Sequence, residues 1–61
     1  MKPILEMPDL DALVHVLETA DDLPGGPYYI YERGDAATDG CYEAYLLEVD
    51  DPALGYIGRV D

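Results

Sequence analysis

Asp11, His15, Glu18 and Asp22 are spaced by four, three and four residues. On a helix this spacing brings them within about 60° of one another, with successive members ~5–6 Å apart. The product is a column of three carboxylates with one imidazole among them. Such a column can move protons or display a row of negative charge. Nucleophilic catalysis is disfavoured, because the chain has no serine for His15 to activate. The one cysteine, Cys41, lies among acidic residues, which raise a thiol pKa and work against a reactive thiolate. A chain of 61 residues also has little room for a closed substrate pocket of ~300 Å³ or more. No enzyme activity is expected.

Metal and cofactor chemistry is equally poorly supplied. A lone His15 and a lone Cys41 form no zinc set of the CxxC or HxxxH kind. Residues 35–39 and Asp50-Asp51 do not match the twelve-residue calcium loop. Pro24-Gly25-Gly26-Pro27 lacks the Lys and Ser/Thr of a phosphate loop. No cofactor and no metal are expected.

The elements that position these groups can be read from pattern and punctuation. Residues 9–22 read as a helix, with Asp9 as N-cap after Pro8 and Asp11 in the first turn. Leu10, Leu13, Val14, Leu17 and Ala20 form its apolar face, a sector about 120° wide. Pro24 to Pro27 end it. Residues 28–33, Tyr-Tyr-Ile-Tyr-Glu-Arg, are aromatic and β-branched and read as a strand. Residues 34–40 read as a turn, 41–49 as the longest strand, 50–53 as a second turn and 55–60 as a last strand. Ile4-Leu5-Glu6-Met7, between Pro3 and Pro8, is either a short edge strand or an arm against the helix. Short turns favour neighbouring antiparallel pairing. The expected fold is a single α+β domain over residues 1–61. One helix packs on a three-stranded antiparallel meander, with the option of a short N-terminal fourth strand. The other face of the sheet would be partly open and carry tyrosines.

A domain this small buries only about 60% of its unfolded surface, so its core is marginal. One cysteine allows no internal disulfide. A monomer or weak homodimer is expected. No apolar run approaches the roughly 20 residues of a membrane span, and residues 1–6 lack the apolar core and cleavage site of a signal peptide. A cytoplasmic location in a bacterial or archaeal cell fits this composition.

Charge is the dominant property. Fourteen Asp and Glu oppose Lys2, Arg33 and Arg59, giving a net charge of −11. This field repels nucleic acid and anionic membranes and speeds encounter with basic surfaces. The acids fall in groups: Asp11 and Glu18 with Asp21 and Asp22, then Asp35 and Asp39, Glu43 and Glu48, and Asp50 with Asp51. On an extended strand Glu48 and Asp50 would point to one side, ~6.7 Å apart. All six aromatics are Tyr, although Tyr demands a partner for its hydroxyl when buried. Tyr28, Tyr29 and Tyr31 are therefore candidates for a contact surface, able to stack on arginine. Packing in the sheet and an ordinary solvated helix face account for the same residues structurally.

In size, charge and helix-plus-sheet form, the whole chain resembles small phage-encoded inhibitors of the anti-CRISPR type, several of which act as DNA mimics. The resemblance implies a target that is a basic, nucleic-acid-binding protein, such as a CRISPR effector subunit. The resemblance carries over no residue; from the charge and tyrosine pattern of this sequence, the groups expected to meet such a site are Asp11, Glu18, Asp21, Asp22, Asp35, Asp39, Glu43, Glu48, Asp50 and Asp51, with Tyr28, Tyr29 and Tyr31. Two alternatives stand beside it. One is an adaptor or subunit that binds through a tyrosine-rich sheet face. The other is a halophilic or GC-rich source as the origin of the acidity.

Overall fold

The computed structural model describes residues 2–34 and 40–61. Its elements run β1 (Leu5–Met7), α1 (Leu10–Thr19), β2 (Tyr28–Arg33), β3 (Cys41–Tyr45) and β4 (Leu54–Val60). The fold is α+β, with one helix on one antiparallel sheet.

Asp9 caps α1 as its sequence position requires. Its backbone is extended, and its side chain accepts the Asp11 N–H at 3.3 Å. Leu13 and Leu17 are buried, and Leu10 packs at the margin of the same cluster. The helix is shorter than the expected 9–22. It ends at Thr19, and Ala20 turns to extended backbone while its N–H still bonds the Val16 carbonyl. The last turn holds no basic residue. Continuing it would place Asp21 and Asp22 at the negative end of the helix dipole. The chain instead leaves the helix, and Leu23 joins the core cluster.

Of Ile4-Leu5-Glu6-Met7, Leu5–Met7 form an edge strand, with Leu5 opposite Ala44 and Met7 opposite Tyr42, while the Ile4 N–H just before it donates to the Ala44 carbonyl. The strand order is β1-β3-β2-β4, so the expected meander is corrected. A meander would put β3 between β2 and β4. Here β1 takes the free edge of β3, and β4 pairs with the far edge of β2, Tyr28 opposite Val60 and Arg33 opposite Leu54. The strand expected over 41–49 stops at Tyr45 because residues 46–53 must carry the chain past β2. Between the Ile30–Gly58 and Tyr31–Tyr56 pairs, Ile57 is an extra residue on β4. This bulge twists the outer strand and interrupts its edge.

Period-two alternation sorts the sheet into two faces. The helix face holds Tyr28, Ile30 and Ala44 against Leu13 and Leu17, with Leu5, Met7, Tyr42 and Val60 around them. The opposite face carries the row Glu6, Glu43, Tyr31 and Tyr56, set side by side by register. Residues 46–53 partly cover that second face, because the Val49 N–H donates to the Tyr31 hydroxyl at 2.9 Å. Gly34, at φ 67°, lets the chain leave β2 through a left-handed conformation that favours glycine. Among the described residues, no helix is long and apolar enough to cross a membrane.

Candidate functional site

The second face is organised around Glu43, which is only 2% exposed. Its carboxylate accepts Arg33 Nε at 2.6 Å and Nη2 at 3.3 Å, and the Tyr45 hydroxyl at 2.5 Å. Burial alone would push the Glu43 carboxyl up. The Arg33 guanidinium and the Tyr45 hydroxyl outweigh it and hold the group below the usual carboxylate range. Arg33 is raised in return, chiefly by its hydrogen bond to Glu43. Tyr45 is raised, first by burial and then by the adjacent carboxylate. Among the described residues no buried side-chain nitrogen or oxygen lacks a hydrogen-bond partner. Glu43 thus serves as a structural acceptor, and its expected place on a contact surface is corrected.

Glu6, Cys41 and Glu43 bring their ligand atoms within 4.8 Å of one another. The set is poorly prepared for a metal. Glu43 is already neutralised by Arg33, and burial together with Glu43 and Glu6 pushes the Cys41 thiol up. A coordinating sulfur must be a thiolate. Cys41 is accordingly expected to react with iodoacetamide at pH 7.5 at least about tenfold more slowly than free cysteine. A mass-spectrometric time course measures this, and alkylation as fast as the free amino acid would contradict it.

The tyrosines divide sharply. Tyr28 is buried on the helix face, its hydroxyl donating to the Pro24 carbonyl. Tyr31 and Tyr45 are buried on the second face, packed edge to face with centroids 5.5 Å apart. Tyr28 and Tyr31 are therefore core residues, and their expected role as exposed contacts is corrected. Crossing by residues 46–53 and the Pro24 carbonyl supplies the polar partners that let these rings go inside. Tyr29 is half-buried. Tyr56 is 58% exposed, with its ring 5.4 Å from that of Tyr31.

Tyr31 and Tyr56 line a shallow concavity of about 610 Å³ together with Glu48, Asp50 and Asp51. Pro52 and Leu54 add apolar surface. Asp51 shapes the turn: its Oδ1 accepts the Ala53 N–H, and its carbonyl accepts the Leu54 N–H, both at 2.9 Å. Asp51 also lies 3.8 Å from Arg33. The three acids meet because residues 46–53 bend over the sheet, not because Glu48 and Asp50 share one side of a strand. Removing the Tyr31 hydroxyl would unpin this segment. Tyr31→Phe is expected to cost about 1 kcal/mol and to speed hydrogen exchange at the Val49 amide. Unchanged exchange at that amide would refute the anchoring role.

The other expected acids lie elsewhere. Asp11 and Glu18 are exposed on α1, across the sheet from the concavity, and His15 is exposed beside them. Asp21 and Asp22 are exposed beyond the helix end, so Asp22 does not complete the helical column. Asp35 and Asp39 lie outside the described residues. Arg33, Tyr45 and Tyr56 were missed by reasoning from sequence. Arg33 carried one signal, as a cation two positions after Tyr31 on the same strand face.

Comparison with protein-family models, curated proteins and solved structures found no match to this chain.

Proposed function

We propose that this protein acts by binding. Its acidic surface docks on the basic, nucleic-acid-binding site of a target protein in the cytoplasm and blocks that site. One observation carries this proposal. Both arginines are spent internally, Arg33 on Glu43 and Arg59 on Asp61 at 2.9 Å, while Asp11, Glu18, Asp21, Asp22, Glu48 and Asp50 stand exposed. Ordinary surfaces intersperse both signs of charge. Here the exposed field is nearly all negative, and a DNA-binding site presents the Lys and Arg that match it. The resemblance to small phage-encoded inhibitors makes a nucleic-acid-guided effector complex the target to try first.

Capture of proteins from a bacterial lysate on the immobilised chain tests this. At about 50 mM salt a nucleic-acid-binding protein should be retained, and both DNA and about 500 mM salt should release it. Capture indifferent to salt and DNA would sink the proposal. It would favour an adaptor that binds through exposed apolar groups, for which Leu47, Tyr56 and Ile57 are available.

A further inference from the structure

We propose that the concavity beneath residues 46–53 is a receptor for one arginine side chain of the partner. This rests on the binding function proposed above and adds the chemistry of one contact. A guanidinium needs three things: an aromatic face, carboxylates and a place for its aliphatic stem. The concavity supplies each.

The aromatic face comes from Tyr56. It stays exposed while Tyr28, Tyr31 and Tyr45 are buried. Its orientation is set from below by Tyr31, against which it packs at 63°. The carboxylates are Glu48, Asp50 and Asp51. Among the described residues Glu48 and Asp50 have no cationic partner, and Asp51 has only the long contact to Arg33. Arg33 shows that a guanidinium can approach one of these acids, since it lies 3.8 Å from Asp51 while its main partner is the buried Glu43 outside the hollow. Leu54 and Pro52 provide apolar lining for a stem. The site is also built in advance. Val49 is tied to the Tyr31 hydroxyl and the turn is closed on Asp51. Little ordering is left to oppose binding. Arginine is favoured over lysine, because a planar guanidinium stacks on a ring and binds two carboxylate oxygens at once.

The test uses the folded chain and three blocked tripeptides, Gly-Arg-Gly, Gly-Lys-Gly and Gly-citrulline-Gly, in ¹H–¹⁵N NMR titrations at low salt. The arginine peptide should give saturable shifts confined to Tyr31 and residues 48–56, with a Kd of about 1 mM. Lysine should bind more weakly, and citrulline should not bind. Tyr56→Leu, which keeps apolar bulk, and Asp50→Asn should each weaken the arginine peptide by about fivefold. Glu6→Gln removes one charge at the opposite edge of the sheet and serves as the charge-matched control, with no change expected. Shifts spread over the acidic helix, equal binding of arginine and lysine, or equal weakening by Glu6→Gln and Asp50→Asn would each overturn the inference. A captured partner that holds Tyr56→Leu as tightly as the parent chain would overturn it too, and would leave the blocking function standing. No capture at all would sink that function, while the peptide titration would still decide the concavity.

Discussion

Glu43→Ala is expected to lower the unfolding free energy by about 2–4 kcal/mol, from the lost partner of a buried hydroxyl and the cavity left behind. Tyr45 is 1% exposed and would keep its hydroxyl with no acceptor. Arg33 is half-exposed and would turn to water, so its loss of partner matters less. A domain of this length has roughly 3–9 kcal/mol in total, and each kcal/mol moves the melting temperature by about 4–8 °C. The midpoint should therefore drop by about 8–32 °C, measured by circular dichroism. A midpoint within 2 or so degrees of the parent would show that the carboxylate is dispensable. Arg33→Met should also destabilise, for the opposite reason, since it leaves the charge buried without its cation.

The same network sets the pH limits of stability. Glu43 is held below its ordinary value of 4.5, so the unfolded chain takes up a proton before the folded one. Its contribution is complete above that value and is lost as pH falls through the folded pKa. Tyr45 and Cys41 are raised above their ordinary values of 10.0 and 9.0. Their contributions are complete below those values and are lost as pH climbs through the folded ones. Glu43→Gln should flatten the acid limb and soften the alkaline decline without abolishing it, because burial, the first cause for both Tyr45 and Cys41, remains while the Glu43 charge is lost.

The largest effect on binding is expected from reversing the helix-end acids. Changing Asp11, Glu18 and Asp22 to Lys moves the net charge from −11 to −5, since each reversal adds two units. Like charges pressed together at an interface cost several kcal/mol. The triple variant should lose at least about 100-fold in affinity for a captured basic partner, with a shallower salt dependence, measured by surface plasmon resonance. Folding should be nearly indifferent. Lys at position 11 opposes the helix dipole, but Lys at 18 sits in a last turn that now has no basic residue. Full affinity in the folded variant would assign recognition to the concavity side of the sheet.

How far the sequence could be read follows from where each constraint originates. β2 was legible to the residue, because its aromatic alternation is a local property. The Asp9 cap was local too. The end of α1 was misplaced by periodicity, which sees Ala20 as helical but not the clash of Asp21 and Asp22 with the dipole. The strand order was not legible, since short connections favour neighbours and nothing local announces that residues 46–53 pass β2 so that β4 pairs with its far edge. That one omission hid most of the site. Without the crossing, Tyr31 has no Val49 to bind, Tyr56 has no Tyr31 beside it, and the acids from 48 to 51 look like a strand edge. Glu43 was misread because an acid goes inside only if Arg33, ten positions away, is brought to it by register.

Strand order also governs how quickly such a chain finds its form. Among the described strands, only β2 and β3 are both consecutive in sequence and paired in the sheet. Both outer strands must close long chain segments, β1 to reach Ala44 and β4 to bring Val60 to Tyr28. Loop closure of that kind opposes the early steps and is rewarded only later. The central hairpin with Ile30 and Ala44 is then the natural nucleus, and the outer strands dock on it from either side. In a chevron, trimming Ile30 would mainly slow refolding, whereas trimming Leu5 or Val60 would mainly hasten unfolding.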